Sequence, residues 1–159
     1  MMATIGYMTT PTTWRNRIVG HGEEPPDQLL ASPMNWRVHP KAQQDHLSAV
    51  LDQVGFVQDV IVNQRTGHVI DGHLRVSLAI SRGEPSIPVV YVDLSEDEER
   101  LVLATFDPIS AMAGTDRELL TQLLADVLES EATVTSTLQA IATANRVSLA
   151  TCGSLGSIG

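Results

Sequence analysis

The segment 71–75 (Asp-Gly-His-Leu-Arg) combines residue types that suit the binding of an anion. It lies where a short apolar strand at residues 68–70 should turn directly into a helix. The first N–H groups of a helix lack intrahelical partners and lie at the positive end of its dipole, and Gly72 lets a ligand approach the backbone closely. Arg75 adds a planar guanidinium that suits phosphate. We therefore predict a phosphate or polyphosphate site formed by Gly72, His73, Leu74 and Arg75.

Two side chains of this segment could also do chemistry. Asp71 has three interpretations: a helix cap, a Mg²⁺ ligand or a catalytic base. His73 could donate a hydrogen bond to phosphate, or act as a general acid and base near neutral pH. The alternative for the whole segment is a plain turn, in which Asp71 caps the helix and Arg75 pairs with a surface carboxylate. Upstream, Arg37 is either a second phosphate contact or part of a structural loop.

Composition limits the classes of partner. The chain has 159 residues and a net charge of −9, and its ten basic side chains form no cluster. Tight binding to a nucleic-acid backbone needs several such groups, so we expect DNA to be bound only weakly or indirectly. No apolar run approaches the roughly 20 residues that span a bilayer, and no signal peptide is recognisable. The single Cys152 is compatible with a reducing compartment. We expect a cytoplasmic protein that does not associate with membranes.

Hydrophobic periodicity and turn residues predict the elements that must position the segment. Strands are expected at residues 14–19, 57–63, 68–70 and 87–93. Helices are expected at residues 40–54, 72–82, 95–106, 116–129 and 134–144. Trp14 should anchor the first strand, residues 21–27 should form a loop, and the helix that Ser95 caps should end before Pro108. This order predicts an α+β fold, in which helices flank a small mixed sheet with a β-hairpin.

The domain organisation follows from the same signals. We expect a flexible N-terminus at residues 1–13, one domain at residues 14–114, a helical extension at residues 115–145 and a disordered tail at residues 146–159. A capping box at residues 115–118 should open the helix at residues 116–129. Its apolar stripe is either core or an interface with a partner or with a second copy in a homodimer. The stripe consists of Leu119, Leu120, Leu123, Leu124, Val127 and Leu128.

Several motifs occur in an order that resembles the ParB/sulfiredoxin superfamily, also called the ParB-like nuclease domain. They are a helix ending in Gly-Phe-Val-Gln at residues 55–58, the hairpin, the Gly-x-x-Arg of residues 72–75 and the strand Ile-Pro-Val-Val-Tyr-Val at residues 87–92. The resemblance covers about residues 29–114. Residues 14–22 are similar to a lead-in found in a phage and mobile-element branch that is associated with DNA methyltransferases. The Asp-Gly-His-x-Arg form is also similar to the small-molecule kinases of the superfamily.

The resemblance implies a ParB/sulfiredoxin-like fold and a bound nucleoside di- or triphosphate, such as CTP, ATP or ADP, with Mg²⁺. It implies that Gly72 and Arg75 hold phosphates and that Gln58 lines the nucleotide pocket. Two departures from the ParB pattern argue against CTP hydrolysis of the ParB kind. The ParB sequence Gly-Glu-Arg-Arg is Gly-His-Leu-Arg here, and the later Glu-Asn-x-x-Arg segment falls near residues 106–108, which contain neither Asn nor Arg. The Cys that sulfiredoxin requires is replaced by His73, which argues against sulfinic-acid repair.

The leading interpretation is a nucleotide-binding accessory or regulatory module in the DNA modification or DNA transactions of a phage or mobile element. A phosphotransferase or NTP hydrolase is one alternative, with His73 or Asp71 activating the acceptor and Arg75 stabilising the transferred charge. A metal-dependent DNA nuclease centred on Asp71 is another. The last is a scaffold with a vestigial site, whose Leu-rich helix holds a partner such as a DNA methyltransferase.

Overall fold

The sheet at the centre of the molecule has five strands in the order β1-β5-β3-β4-β2. The structure, a computed structural model, describes residues 13–130 and 132–149. The strands are β1 (Ile18–Glu24), β2 (Leu30–Ala31), β3 (Val60–Asn63), β4 (His68–Asp71) and β5 (Ile87–Val92). Within the sheet, β1 pairs antiparallel with β5 and β3 pairs antiparallel with β4. The β3–β5 and β2–β4 pairs are parallel. The expected mixed sheet with a β-hairpin is thereby confirmed.

Five α-helices lie within the described residues. They are α1 (Lys41–Val54), α2 (His73–Arg82), α3 (Glu96–Ala111), α4 (Arg117–Ser130) and α5 (Thr135–Ala144). Short 3₁₀ helices precede β2 at Pro26–Gln28 and α5 at Ala132–Val134. Local signals account for the ends of α2 and α3. Gly83 ends α2 in the left-handed conformation, and a capping box between Ser95 and Glu98 opens α3.

The hydrophobic core has one layer on each face of the sheet. Val76 and Ala79 of α2 pack against strand residues such as Val60 and Ile87 on one face. On the other face, Leu103 of α3 packs with residues from the ends of β4 and β5. The β-branched residues of the strands suit a pleated surface that is covered on both sides. The sheet is therefore placed between α2 and α3, and β4 leads directly into α2.

A buried polar cluster fixes the start of α3 to the β3–β4 hairpin. Asn63 is fully buried, and its side chain donates to the carbonyl of Leu94 and accepts from its N–H, at 3.0 and 3.1 Å. Glu99 is also buried, and it accepts hydrogen bonds from Asn63 and Thr66 while one of its oxygens lies 3.2 Å from His68 Nδ1. The position of α3 over the sheet is thus set by specific hydrogen bonds as well as by apolar packing.

The first strand differs from the prediction. It runs from Ile18 to Glu24, so residues 21–24 belong to the sheet and not to a loop, and Trp14 is fully exposed and anchors nothing. The Gly-rich sequence is a weak strand former on its own, but pairing with β5 overrides that preference. A Cβ at Gly22 would lie 3.4 Å from the ring of Tyr91, so the ring packs closely over the bare backbone. The next predicted strand is also shorter than expected, since β3 begins only at Val60.

Helix α3 does not end before Pro108 as predicted, but continues through it to Ala111. A proline inside a helix removes one main-chain hydrogen bond. Two contacts hold α3 directly before the proline nonetheless. Trp36 Nε1 donates to the carbonyl of Leu103 at 2.9 Å, and Arg37 forms an ion pair with Asp107. These long-range contacts leave no trace in the local sequence.

The C-terminal helices form a second small core, in which Leu124 packs with Leu138 and Ala142. The predicted capping box is wrong in detail. The cap is Asp116, which accepts from the N–H of Leu119, whereas Thr115 donates to Asn145. The Leu-rich stripe is split between core and surface, because Leu124 is buried while Leu119 and Leu123 are mostly exposed.

Packing in this second core continues past the predicted end of the helical extension. Val147 and Leu149 pack against it. The predicted flexible N-terminus, apart from residue 13, and the part of the predicted tail from residue 150 onward lie outside the described residues, as does Cys152. No helix in the described part of the chain is long and apolar enough to cross a membrane.

Candidate functional site

A cavity of about 440 Å³ lies between the sheet and α3, beside the end of β4. Its apolar wall comes from strand and helix residues that also build the core. These are Ile61, Ile70, Val92, Leu94, Val102 and Phe106. Phe106 is largely exposed, so its ring is available to a flat ligand at the mouth. The polar side of the cavity includes Arg17, Arg37, Gln58, Asp71 and Asp107. Apolar walls with a few convergent polar groups are typical of small-molecule sites.

Arg37 lies between two carboxylates on the polar side of this cavity. One of its terminal nitrogens is in close contact with Asp107, and the other is 3.8 Å from Asp71 Oδ1. The neighbouring Trp36, which is bonded to α3, fixes the backbone that carries Arg37. A guanidinium presents a planar, delocalised positive charge that suits carboxylate and phosphate oxygens. Arg37 is thus a positioned cation on the polar side of the cavity, where Arg17 is the other arginine of the lining.

Arg75 lies behind Asp71 and is engaged by protein acceptors. Its terminal nitrogens donate to Asp71 at 3.1 Å, to the Gln58 side chain at 3.3 Å and to the Asp59 carbonyl at 3.3 Å. Its Nε is buried without a hydrogen-bond partner in the described residues. Arg75 itself does not line the cavity. The contact with Asp71 links it to Arg37, so the two cations share one carboxylate.

Gly72 allows the sharp transition from β4 to α2. It has φ of 98°, in the left-handed region, where glycine is favoured. A Cβ here would lie 3.0 Å from Arg75 Nη2 and 3.1 Å from Val60 Cγ2. Among the residues that the structure describes, no side chain caps the first turn of α2. The interpretation of Asp71 as a helix cap is wrong. Asp71 is the last residue of β4, and its carboxylate faces Arg37 and Arg75.

The main chain of the segment between β2 and α1 holds the His73 side chain in place. Its Nε2 accepts a hydrogen bond from the N–H of Ser32 at 3.3 Å. Burial, followed by the nearby charge of Arg37, lowers the pKa of His73 below its usual value. The imidazole is therefore neutral near pH 7. Because the neutral His73 ring accepts this hydrogen bond, it links the start of α2 to Ser32.

The donor set fits a phosphate better than a fully protein-bound metal. Arg37, the Gln58 amide and the uncapped first turn of α2 are all hydrogen-bond donors of the kind that phosphate oxygens accept. In the described residues, no three His, Cys, Asp or Glu side chains come close enough to hold a metal ion. Asp71 could contribute one carboxylate to Mg²⁺, which usually completes its coordination with water and substrate phosphates.

The structure gathers only part of the predicted set. It places Arg37, Gln58 and Asp71 on one cavity, whereas residues 72–75 do not line it. Arg75 is linked to the cavity through its hydrogen bonds to Gln58 and Asp71. The side chain of Leu74 faces a different groove, between α1 and α5, so only its N–H could take part. Arg17 and Asp107 also line the cavity, but neither was predicted from the sequence as a site residue. Arg17 directly precedes β1 and donates to Glu98 at 2.6 Å. These two residues are 81 positions apart, so no local motif signals the pairing.

Comparisons with known proteins place this geometry within a known fold. No family model matches the chain, and no curated protein matches it. Among solved structures, it is similar to the C-terminally truncated chromosome-partitioning protein ParB from Caulobacter crescentus, complexed with CTP-γ-S. The TM-score is 0.55 and the identity 19%, over 78% of this chain and 79% of that chain.

A Pnob8-like ParB-N domain also aligns, with a TM-score of 0.47 and 13% identity, over 83% of this chain and 65% of that one. The five-stranded mixed sheet and its flanking helices match the first of these neighbours. The chain therefore has the ParB-like fold.

Proposed function

We propose that this protein is a nucleotide-binding module that takes up a nucleoside di- or triphosphate, CTP, ATP or ADP, in the cavity beneath α3. One observation carries the proposal. A cavity of about 440 Å³ joins an apolar wall to Arg37, Gln58 and Asp71 at the end of β4, next to the uncapped start of α2. A nucleobase suits the apolar wall with Phe106, and phosphates suit the cationic end. The fold it shares with a CTP-γ-S-bound ParB adds support.

Each residue has a defined part in this proposal. Arg37 supplies the positive charge that the phosphates meet in the cavity. The N–H groups at residues 72–75 offer further donors, and the glycine at their start permits the sharp turn from β4 into α2. Asp71 is placed to share Mg²⁺ with the phosphates, and Gln58 and Arg75 hold Asp71 and one another in position.

The biological setting that we propose follows the sequence resemblance. The module would act as an accessory or regulatory component of DNA modification or DNA transactions in a phage or mobile element, with a partner such as a DNA methyltransferase. The net charge of −9 favours a protein partner over direct, tight DNA binding. The partly exposed α4, with Leu119 and Leu123 at its surface, is the candidate contact for that partner or for a second copy.

A thermal-shift screen with Mg²⁺ and CTP, ATP or ADP tests the proposal. A true ligand at about 100 times its Kd adds about 2.7 kcal/mol, which corresponds to a rise in Tm of roughly 5–11 °C for a chain of this size. Arg37→Ala removes charged hydrogen bonds and should weaken binding by about 10- to 100-fold. Arg82→Ala is the matched control, because Arg82 also forms an ion pair, with Asp52, but at the far end of α2.

A scaffold with a vestigial site is the second candidate, and one observation favours it. The Arg75 guanidinium is already bonded to Asp71, Gln58 and the Asp59 carbonyl, so its terminal nitrogens are occupied by protein atoms. The scaffold predicts that none of the nucleotides changes the Tm, with or without Mg²⁺. A nucleotide-dependent shift that Arg37→Ala abolishes and Arg82→Ala retains would exclude it.

A further inference from the structure

The contact between Arg37 and Asp107 has a consequence for how the cavity binds an anion. Arg37 comes from the segment between β2 and α1, and Asp107 comes from the second half of α3. Both side chains are partly shielded, with 29% and 39% of their surface exposed. The Asp107 carboxylate therefore occupies one of the two terminal nitrogens with which Arg37 could bind a phosphate oxygen.

The second half of α3 is weakly anchored apart from this contact. The buried residues of α3 are Glu99 and Leu103, both in its first half. Beyond them, Phe106 and Ile109 are about 60% exposed. Segments with few buried contacts open at low free energy, and Pro108 removes a helical hydrogen bond in this same stretch. The position of residues 104–111 thus depends strongly on a few polar contacts.

We propose that Asp107 is a built-in competitor for the phosphate site and that a bound phosphate displaces it from Arg37. The proposal rests on the proposed nucleotide binding and adds its regulation. Once Arg37 is neutralised by phosphate, Asp107 has lost its partner and is repelled by the new negative charge. The second half of α3 is then released from the β2–α1 segment, while the buried Asn63–Glu99 cluster keeps the first half in place.

The released half of α3 connects the site to the rest of the chain. Residues 112–116 follow α3 directly and lead into α4. The displacement that we propose ends in this linker, because α4 packs mainly against α5 and the 3₁₀ helix that precedes it.

Asp107→Asn tests the competition directly. The variant keeps the size of the side chain and removes its charge. Its Kd for the Mg²⁺ complex of CTP, ATP or ADP, measured by calorimetry, should be about 3- to 10-fold lower than that of the wild type, as expected for loss of a partly shielded ion pair. Asp107→Glu retains a competing carboxylate and should stay within about twofold of the wild type. Asp97→Asn is the matched control on the same helix, since Asp97 is 94% exposed and pairs only with Arg100 among the described residues.

Hydrogen exchange supplies two readouts, of which the first needs no ligand. Without nucleotide, the amides of residues 104–107 and 109–111 should exchange faster in Asp107→Asn than in Asp97→Asn. In the wild type, the same amides should exchange faster when nucleotide is added. If the wild type binds nucleotide but Asp107→Asn binds equally or more weakly, the competitor proposal is overturned and the proposed function stands. Unchanged exchange at these amides in Asp107→Asn also overturns it. If neither the wild type nor Asp107→Asn binds any of the three nucleotides, both proposals fail.

Discussion

Gly72→Ala is expected to destabilise the protein more than an ordinary substitution of a left-handed glycine. The backbone at Gly72 has φ of 98°, and holding a non-glycine residue in the left-handed region costs about 1–2 kcal/mol. The added Cβ would also lie 3.1 Å from Cγ2 of Val60, which is fully buried and cannot move aside. Crowding of this kind costs about 1–3 kcal/mol. The two effects together predict a loss of about 2–5 kcal/mol in the free energy of unfolding.

Gly83→Ala separates the two contributions. Gly83 has φ of 71° at the other end of α2, and a Cβ there would meet no atom of the described residues within 4 Å. Only the backbone cost of about 1–2 kcal/mol should appear. Urea unfolding followed by circular dichroism gives both values, provided that the slope m is the same in each variant. If Gly72→Ala and Gly83→Ala lose the same free energy, the close packing of Gly72 against Val60 and Arg75 is refuted.

Further predictions concern titration and the buried polar cluster. Arg37→Ala should raise the pKa of His73 only part of the way to 6.5 in an NMR titration, because burial lowers this pKa more than the charge of Arg37 does. The stability that neutral His73 contributes is present above pH 6.5 and is lost as the pH falls through the lowered pKa. Glu24→Ala should lower the pKa of Tyr91 from about 12 toward 10 in an ultraviolet titration, because it removes the acceptor of the 2.7 Å hydrogen bond together with its negative charge. In the wild type the contribution of neutral Tyr91 is present below pH 10 and is lost as the pH rises through 12. Asn63→Ala should cost about 2–4 kcal/mol in urea unfolding, since it leaves a buried main-chain N–H and carbonyl without partners; a loss below about 1 kcal/mol would contradict the role of the cluster.

The elements that the sequence predicted well are those whose signals are local. The capping box at Ser95 and the glycine after Arg82 specify helix ends through hydrogen bonds within a few residues. The hairpin and the Asp-Gly junction are similarly local, and they led to the correct fold. Where the sequence analysis was wrong, a distant contact decided the outcome. Pairing with β5 extended β1 through its glycines, and contacts from Trp36 and Arg37 hold α3 directly before Pro108, through which the helix continues.

The same distinction applies to the candidate site. The residue types around Gly72 were recognisable because a strand–glycine–helix junction is a local pattern. The orientation of the Asp71 carboxylate could not be predicted, because it depends on Arg37. Arg37 is 34 positions away in the sequence, but its Nη2 lies 3.8 Å from Asp71 Oδ1. Asp107 was noted only as a departure from a motif, and its contact with Arg37 depends on how α3 packs over the sheet.

An NMR titration of the ¹⁵N-labelled protein with the Mg²⁺ complexes of CTP, ATP and ADP tests the central claim most directly. We predict saturable shifts for at least one nucleotide at the backbone amides of residues 72–75 and at the guanidinium of Arg37, with little change at α5. If none of the three nucleotides produces saturable shifts, or if the shifts are confined to the helices after residue 116, the cavity beneath α3 is not a nucleotide site.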